Sequence, residues 1–296
     1  MTPAARRVGV VVLDFGRPED AQRAASSARE SGLDVSVLIV ENGAAGRGSS
    51  ASEAGVARLC LRDNLGFAGG MNAGIQQLLA QGCDPLLLLN NDAALEPGCL
   101  SLLVAALEGP SVGAVGPLIL SAEDGRVESR GLRVDLRHGS VRLEGTGTAA
   151  DDGAPVSVDA LSGAVLMMTA TALDRVGPLD PEYFFSFEDV DWCVRARRAG
   201  FELLVVPAAR ARHLGSRTIG RDSPQRLYFA ARNHLRCAEK LSPLSGLSRW
   251  RRRAAILARN LAFALRQRDV ARLLACRAVI DGHRDARAGR LGPRRL

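Results

Sequence analysis

Apolar and polar positions come in alternating blocks through the first half of the chain. Val8-Gly-Val-Val-Val-Leu13 is a continuous apolar run, the pattern of a strand buried on both faces. Pro18 to Ser31 has helical spacing, with Pro18 suited to the first turn. Val35-Ser-Val-Leu-Ile-Val40 predicts a second buried strand that ends at Glu41-Asn42-Gly43. A glycine-rich turn and helix follow, Asn64-Leu-Gly-Phe-Ala-Gly-Gly-Met-Asn-Ala-Gly74 running on to Gln81. Leu86-Leu-Leu-Leu89 predicts a third strand ending at Asn90-Asn91-Asp92, then a helix from about Pro97 to Leu107 and a fourth strand over Val112 to Leu120. Strand–helix alternation of this kind predicts an α/β fold built on a doubly wound, mostly parallel sheet with flanking helices.

The second half is less regular. Residues 121–158 are polar and glycine-rich, and a hairpin or loops over the site are expected there. Asp159 to Ala170 reads as an apolar strand with Ser162-Gly163 inside it, and Thr171 to Val176 as a short helix. The acidic run Phe187-Glu-Asp-Val-Asp-Trp192 precedes a helix through about Ala199, which Gly200 stops. Phe201 to Val206 reads as a strand followed by Ala211-Arg212-His213, and beyond residue 221 the pattern turns helical. Residues 1–220 are therefore expected to form the α/β domain and residues 221–296 a helical extension.

Charge sharpens that division. Hydrophobic content of 47% and charged content of 24% are those of a soluble globular chain. Yet residues 1–220 hold 20 Arg against 27 acidic residues, a net of −7, and residues 221–296 hold 18 Arg and Lys240 against 5 acidic residues, a net of +14. A basic extension on an acidic body implies an anionic contact: nucleic acid, a membrane surface or a phosphorylated lipid. Few aromatics accompany the basic residues, so single-strand nucleic-acid stacking is not expected. Residues 250–268 form a helical pattern with Ile256, Leu257, Leu261, Ala264 and Leu265 on one apolar face between arginines. Such a helix lies in the interface of the inner membrane as a peripheral contact, or packs on the α/β domain or on a second copy of the chain in a homo-oligomer. The six cysteines show no C-x-x-C spacing, and the expectation is reduced thiols in a cytoplasmic protein. The apolar run Val8–Leu13 is too short for a signal peptide, and no stretch reaches the roughly 18 apolar residues of a membrane span.

Candidate chemistry gathers where strands end, the place at which open α/β sheets bind ligands. Asn90-Asn91-Asp92 offers oxygens that suit a hard divalent cation, although Asn and Asp also simply end strands in turns. Glu41 is placed to accept hydrogen bonds from a base or a ribose, or to face solvent in a turn. The segment Asn64 to Gly74 suits close approach of phosphate or sugar to a helix start, or close helix–sheet packing. His213, among Arg210, Arg212 and Arg217, reads as a metal or phosphate contact or as a structural histidine. Glu188, Asp189 and Asp191 put three acids within four positions, which suits a cation, a proton transfer, or the N-terminus of a helix.

In combination these segments resemble the inverting family 2 glycosyltransferases of GT-A fold, and most closely their bacterial rhamnosyltransferase-like branch. The resembling motifs are Val40-Glu-Asn-Gly43, Asn64 to Gly74, Leu86-Leu-Leu-Leu-Asn-Asn-Asp92, Leu161-Ser-Gly-Ala164, Phe184-Phe-Ser-Phe-Glu-Asp-Val-Asp-Trp192 and Val205 to His213, in the family's order. The resemblance implies that a nucleoside-diphosphate sugar is the donor, with dTDP-rhamnose preferred and a UDP-sugar as the alternative. It implies donor contacts at Glu41, Asn42, Asn64, Gly66, Gly69, Asn72, Asn90, Asn91, Ser162 and Gly163, and Mg²⁺ or Mn²⁺ at Asp92 and His213. Asp189 matches the base that deprotonates the acceptor hydroxyl, with Glu188, Asp191 and Trp192 shaping the site for a glycan or lipid-linked acceptor in cell-surface polysaccharide synthesis. Departures fall on the donor side: Glu41 replaces an Asp, Asn90 replaces the first acid of a DXD motif, and Leu13-Asp-Phe15 stands where relatives often carry Asn-Tyr-Asn. The competing readings are a nucleotidyltransferase, for which Asp14-Phe-Gly-Arg17 is a poor loop, and a non-catalytic nucleotide-sugar-binding scaffold.

Overall fold

Apolar runs become the centre of one large sheet. The structure, a computed structural model, describes residues 7–43, 55–214, 223–266 and 271–294. Its elements in chain order are β1 (Val8–Asp14), α1 (Pro18–Arg29), β2 (Val35–Asn42), β3 (Val56–Leu61), α2 (Gly66–Ala80), β4 (Leu86–Asn90), β5 (Ala93–Leu95), α3 (Cys99–Ala106), β6 (Val112–Ser121) and β7 (Val127–Ser129). They continue with β8 (Leu132–Asp135), β9 (Ser140–Leu143), β10 (Val156–Ser157), β11 (Val165–Met168), α4 (Ala170–Val176), α5 (Glu188–Arg198), β12 (Glu202–His213), α6 (Pro224–Leu241), α7 (Gly246–Arg266) and α8 (Arg272–Arg287). The junction expected at residues 220 and 221, Arg217, and the last two residues of the helix expected over 250–268 lie outside the described residues.

The main sheet runs in the order β10-β12-β6-β11-β4-β1-β2-β3, with β5 on β12 and β7 on β6. β4, β1, β2 and β3 are mutually parallel, β6 and β12 are parallel, and β11 joins the two halves antiparallel to β4 and β6. Every residue of β1 is buried, as its unbroken apolar run requires, because helices cover both faces of the sheet. β8 and β9 form a separate hairpin within the polar segment 121–158.

Three expectations are corrected. Asp159 to Ala170 is not one strand: Ser162-Gly163 interrupts it, leaving Val165–Met168 paired and Ala160 in an isolated bridge to Leu132. β12 runs through to His213, and a register shift between Val206 and Arg210 lets the strand pass Pro207 and resume pairing with β6. The acidic run does not precede a helix; it is the first turn of α5.

The C-terminal helices pack on the α/β body. α6 starts with Ser223 as N-cap, its hydroxyl accepting from the Arg226 N–H at 3.1 Å, and with Pro224 in the first turn. Leu227, Tyr228, Phe229 and Ala231 of α6 form a core with Ala264 of α7 and with Ala275, Ala278 and Val279 of α8. The apolar face expected on α7 packs against protein and does not form the membrane contact that was its other reading. Ile256 and Ala264 are buried against protein, Leu257 and Leu261 are half-buried, and Leu265 alone of the five is exposed. The buried side of α7 also carries Arg252, whose guanidinium donates to the carbonyls of Leu136 (3.2 Å) and Ser242. No helix among the described residues is long and apolar enough to cross a membrane.

Candidate active site

Parallel register brings the carboxyl ends of β1, β2 and β4 level, with Asp14 opposite Glu41 and Leu13 opposite Asn90. The polar residues on this edge are tied into the protein to different degrees. Asp14, which nothing in its local spacing marked, is buried and accepts from the Arg17 N–H at 2.7 Å and from Asn91 Nδ2 at 3.5 Å. Position at a strand end was the signal that would have found it. Glu41 is gripped by Arg58 at 2.9 Å and by the Cys60 thiol at 2.8 Å. Asn42 holds the following turn, donating to the Gly66 carbonyl at 2.8 Å and accepting from the Leu65 N–H at 2.9 Å. Asn64 accepts from the Gly66 N–H at 2.9 Å.

The glycine-rich segment is built for packing. Gly66 has φ +72°, and a Cβ there would meet the Phe184 carbonyl oxygen. A Cβ on Gly69 would come within 2.7 Å of Leu65, and the Asn72 amide is engaged on both sides of Leu179, at 2.8 and 3.1 Å. Gly69 and Asn72 thus lock α2 to its surroundings and do not line the cleft described next.

That cleft has a volume of about 900 Å³. Of the expected site residues it gathers Asn90, Ser162, Gly163, Glu188, Asp189 and His213, which lie far apart in the chain. The β8–β9 hairpin, the start of α6 and one side of α7 complete its walls.

Asp189 is half-buried, with its Oδ2 accepting from the Gly163 N–H at 2.8 Å and its Oδ1 from the Val190 N–H at 2.7 Å. Burial raises its pKa, and those two N–H donors oppose the rise by stabilising the anion. Glu188 is fully enclosed, and its Oε2 has no hydrogen-bond partner among the described residues. Burial and the neighbouring charge of Asp189 push its pKa well above the usual carboxylate range. One proton on Glu188 and the charge on Asp189 is the arrangement the donors favour. The helix N-terminus accounts for the acids in part: all three lie in the first turn of α5, and Asp189 accepts from the Val190 N–H of that turn, while the N-cap residue Phe187 makes no side-chain cap.

Asp191 and Trp192 are turned away from the cleft, contrary to the acceptor-side expectation. Asp191 is completely buried, bound by the Tyr183 hydroxyl (3.0 Å), Arg195 (2.6 Å) and Lys240 (3.1 Å), and the Trp192 indole donates to the Gly177 carbonyl at 2.9 Å. Helical periodicity accounts for Asp191, two positions after Asp189 and so on the opposite face of α5; Trp192, three positions on, is held away from the cleft by its indole bond to Gly177.

The chain reaches Asp189 through a strained turn. Phe184, Ser186 and Phe187 all have positive φ, at 62°, 69° and 75°. α6 holds this turn from behind. Asn233 Nδ2 donates to the carbonyls of Tyr183 (2.8 Å), Phe185 (2.7 Å) and Ser186 (2.8 Å), and Arg232 adds a bond to Tyr183 at 2.9 Å. His234 stacks on Phe187 with ring centroids 5.0 Å apart, kept neutral because burial lowers its pKa to about 4. Sequence spacing gave no sign of the Arg232–His234 brace.

His213 ends β12 beside β5 and faces Asp92, with Nε2 3.3 Å from Asp92 Oδ1. Its other nitrogen, Nδ1, lies 3.1 Å from Glu128, a residue in the weakly patterned segment that the sequence did not single out. Burial alone would lower the His213 pKa, but the two carboxylates outweigh it and raise it to about 9. Asn90 Oδ1 is buried without a hydrogen-bond partner among the described residues, and the contact of His213 Nε2 with Asp92 is long, at 3.3 Å. No group of three or more His, Cys, Asp or Glu side chains shaped for a metal occurs among the described residues. Asp92 and His213 are the two expected cation ligands that the structure brings together; His213 would have to give up its proton to ligate, and a diphosphate and water would supply the remaining ligands.

The family profile described as "Glycosyltransferase like family 2" matches residues 36–239. An N-acetylglucosaminyl-diphospho-decaprenol L-rhamnosyltransferase of Mycobacterium tuberculosis is 31% identical over 221 residues, covering 65% of this chain and 71% of the relative. A dTDP-rhamnosyl transferase, RfbF, of Shigella flexneri is 22% identical over 191 residues, covering 59% of this chain and 60% of the relative. Among solved structures, the mannosyltransferase PcManGT from Pyrobaculum calidifontis, in complex with GDP-Man and Mn²⁺, superposes with a TM-score of 0.54 over 97% of this chain and 84% of its own at 15% identity. GalNAc-T7 with UDP, GalNAc and Mn²⁺ superposes with a TM-score of 0.53 over 70% of this chain and 42% of its own at 16% identity. The fold is the GT-A type that the sequence predicts, and the chain belongs to the family 2-like glycosyltransferases.

Proposed function

We propose that this glycosyltransferase is a cation-assisted, inverting enzyme of cell-surface polysaccharide synthesis. It moves a sugar, with rhamnose as the preferred identity, from a nucleoside diphosphate to a hydroxyl of a lipid-linked or glycan acceptor. The carrying observation is Asp189: a carboxylate with both oxygens steadied by backbone N–H groups, in the same cleft as Asn90 and His213. The names of the two rhamnosyltransferase relatives support the choice of sugar and of a diphospho-lipid acceptor.

Asp189 takes the proton of the acceptor hydroxyl as that oxygen attacks the anomeric carbon. Gly163 and Val190 hold the carboxylate for the transfer, and a protonated Glu188 beside it avoids a second buried charge. A single displacement inverts the anomeric centre and needs no protein nucleophile. Asp92 and His213 hold the cation, which when bound neutralises charge developing on the departing diphosphate. Glu128 fixes the His213 ring so that Nε2 faces Asp92. Asp14 and Glu41, at adjacent strand ends, are placed for the nucleoside. Residues 1–220 carry this chemistry, with residues 221–296 as the helical extension that backs it.

The test is direct. Purified protein is screened by thermal shift against nucleotide sugars with Mn²⁺ or Mg²⁺, and the stabilising donor is then incubated with a diphospholipid-linked sugar. NMR of the product is expected to show an anomeric configuration opposite to the donor's. Retained configuration would overturn the single-displacement mechanism, and transfer undiminished by chelator would remove the cation.

A further inference from the structure

Besides the face it packs on the protein, α7 carries a second apolar stripe. Leu247, Trp250, Ala254, Ala258 and Leu265 recur at spacings of three, four, four and seven, so they form one stripe along the helix. All five are exposed: Trp250 keeps 67% of its surface, Leu247 60% and Leu265 50%. The opposite side of the same helix is buried and carries Arg252. A water-facing helix normally shows the reverse distribution. The apolar surface continues past the end of α7, where Leu273 in the first turn of α8 is 81% exposed.

Cations accompany this stripe: Arg251 follows Trp250, Arg266 follows Leu265 and Arg272 precedes Leu273. Arg251, Arg266, Arg272, Arg284 and Arg287 are exposed and have no acidic partner within 4 Å among the described residues, while Arg249, Arg253, Arg290 and Arg294 are matched to Glu239, Asp285 and Asp281. A bare apolar stripe accompanied by unmatched arginines, with an indole near one end, is complementary to an anionic lipid surface. A protein partner of matching acidity is the alternative this charge pattern favours less, since it would have to supply both acids and an apolar groove.

We propose that α7 docks through this stripe on an anionic bilayer, lying in the interface and not crossing it. The helix also forms a wall of the catalytic cleft: Arg259, Ala262, Phe263 and Arg266, away from the stripe, line it. Docking therefore holds the cleft close to the bilayer, one helix away from the surface where a lipid-linked acceptor presents its head group. That last step rests on the proposed function; docking itself does not.

The chain carries its own reporter. It has two tryptophans, of which Trp192 is fully buried and Trp250 lies in the stripe. Full-length protein is titrated with vesicles of 30% phosphatidylglycerol in phosphatidylcholine, and separately with pure phosphatidylcholine. The expected result is a blue shift of tryptophan emission and co-flotation with the anionic vesicles only, weakened by salt. Leu247→Glu/Trp250→Glu/Leu265→Glu should lower the partition coefficient tenfold or more at unchanged circular dichroism and unchanged donor-induced thermal shift. Trp250→Phe should abolish the blue shift but keep flotation. Absence of wild-type binding, or binding that survives the triple substitution, overturns the proposal. So does a wild-type dimer in analytical ultracentrifugation that the triple variant converts to monomer without any vesicle binding, which would make the stripe a contact between copies. These readouts need neither donor turnover nor acceptor, so failure of the docking surface and failure of the transferase reading are separable.

Discussion

The strand side and the helix side of the cleft use polarity in opposite ways. On the strand side, apolar runs are buried and polar residues cluster at strand ends, where Asn90 Oδ1 is left without a hydrogen-bond partner among the described residues and His213 Nε2 has a long contact to Asp92. On the helix side, Arg232, Asn233 and Arg252 are buried and bonded to carbonyls, while Leu247, Trp250 and Leu265 face outward. Hydropathy periodicity reads burial correctly only where apolar side chains decide it. In α6 and α7 carbonyls of a strained turn and a hairpin draw Arg232, Asn233 and Arg252 inward beside the apolar face, because an orphaned buried polar group costs about 1–3 kcal/mol.

The contrast breaks most visibly at Asp189, where the chemistry belongs to the strand side. Asp189→Asn keeps the shape and removes the base. Transfer is expected to fall by about 10²–10⁴-fold, the usual contribution of a general base, with nucleotide-sugar affinity, measured by calorimetry, within a few-fold of wild type. Wild-type turnover in this variant would take the proton away from Asp189. Asp92→Ala is the next largest effect expected. Loss of a ligand should weaken Mn²⁺-dependent nucleotide binding by about ten-fold or more, while metal-independent binding is unchanged. Equal loss with and without Mn²⁺ would mean that Asp92 serves the fold instead.

Asn233 sharpens the helix side. Its one amide nitrogen serves three carbonyls of the turn that delivers Asp189. Asn233→Ala should cost about 2–4 kcal/mol in denaturant unfolding, given ~1 kcal/mol per bond, and lower kcat more than donor affinity. Asn233→Asp should be worse than Ala, since a carboxylate would face three carbonyl oxygens. If the aspartate variant were the milder one, the carbonyl brace would not be what holds Phe184, Ser186 and Phe187 at positive φ.

These residues also mark how far the sequence could be read. The parallel sheet, its strand ends and the gathering of Asn90, Gly163, Asp189 and His213 followed from apolar runs, strand-end logic and motif order, since long buried strands leave little choice of register. Asp191 was misplaced because motif adjacency ignores the turn of a helix, which sends it to the opposite face of α5 from Asp189, and Trp192 because its indole is held by a carbonyl 15 residues away. Glu128 and Asn233 were illegible, because each acts through contacts 85 and 47–50 residues away in the chain. The apolar face of α7 was legible, since Ile256 and Ala264 are buried as the pattern expects, but the burial of Arg252 beside them was not, because the carbonyl of Leu136 that it serves is 116 residues distant.

The smallest effect expected, and the one that tests the strand side's orphaned atoms most finely, is on stability at Glu188. Its folded pKa is raised, so the folded chain keeps a proton that the unfolded chain releases near the ordinary glutamate pKa of about 4.3. Below that pH both states are protonated and the residue is neutral to stability. As pH rises towards the folded pKa, the folded state binds more protons than the unfolded state, and stability is lost at up to ~1.4 kcal/mol per pH unit. Glu188→Gln has no proton to lose. Its Tm should match wild type near pH 4.5 and exceed it increasingly towards pH 7, by roughly 2–4 °C per unit at most. A Tm difference that stays flat with pH would show that Glu188 is ionised in the fold. The carboxylate pair would then share its charge, and Asp189 would lose its distinction as the anion of the two.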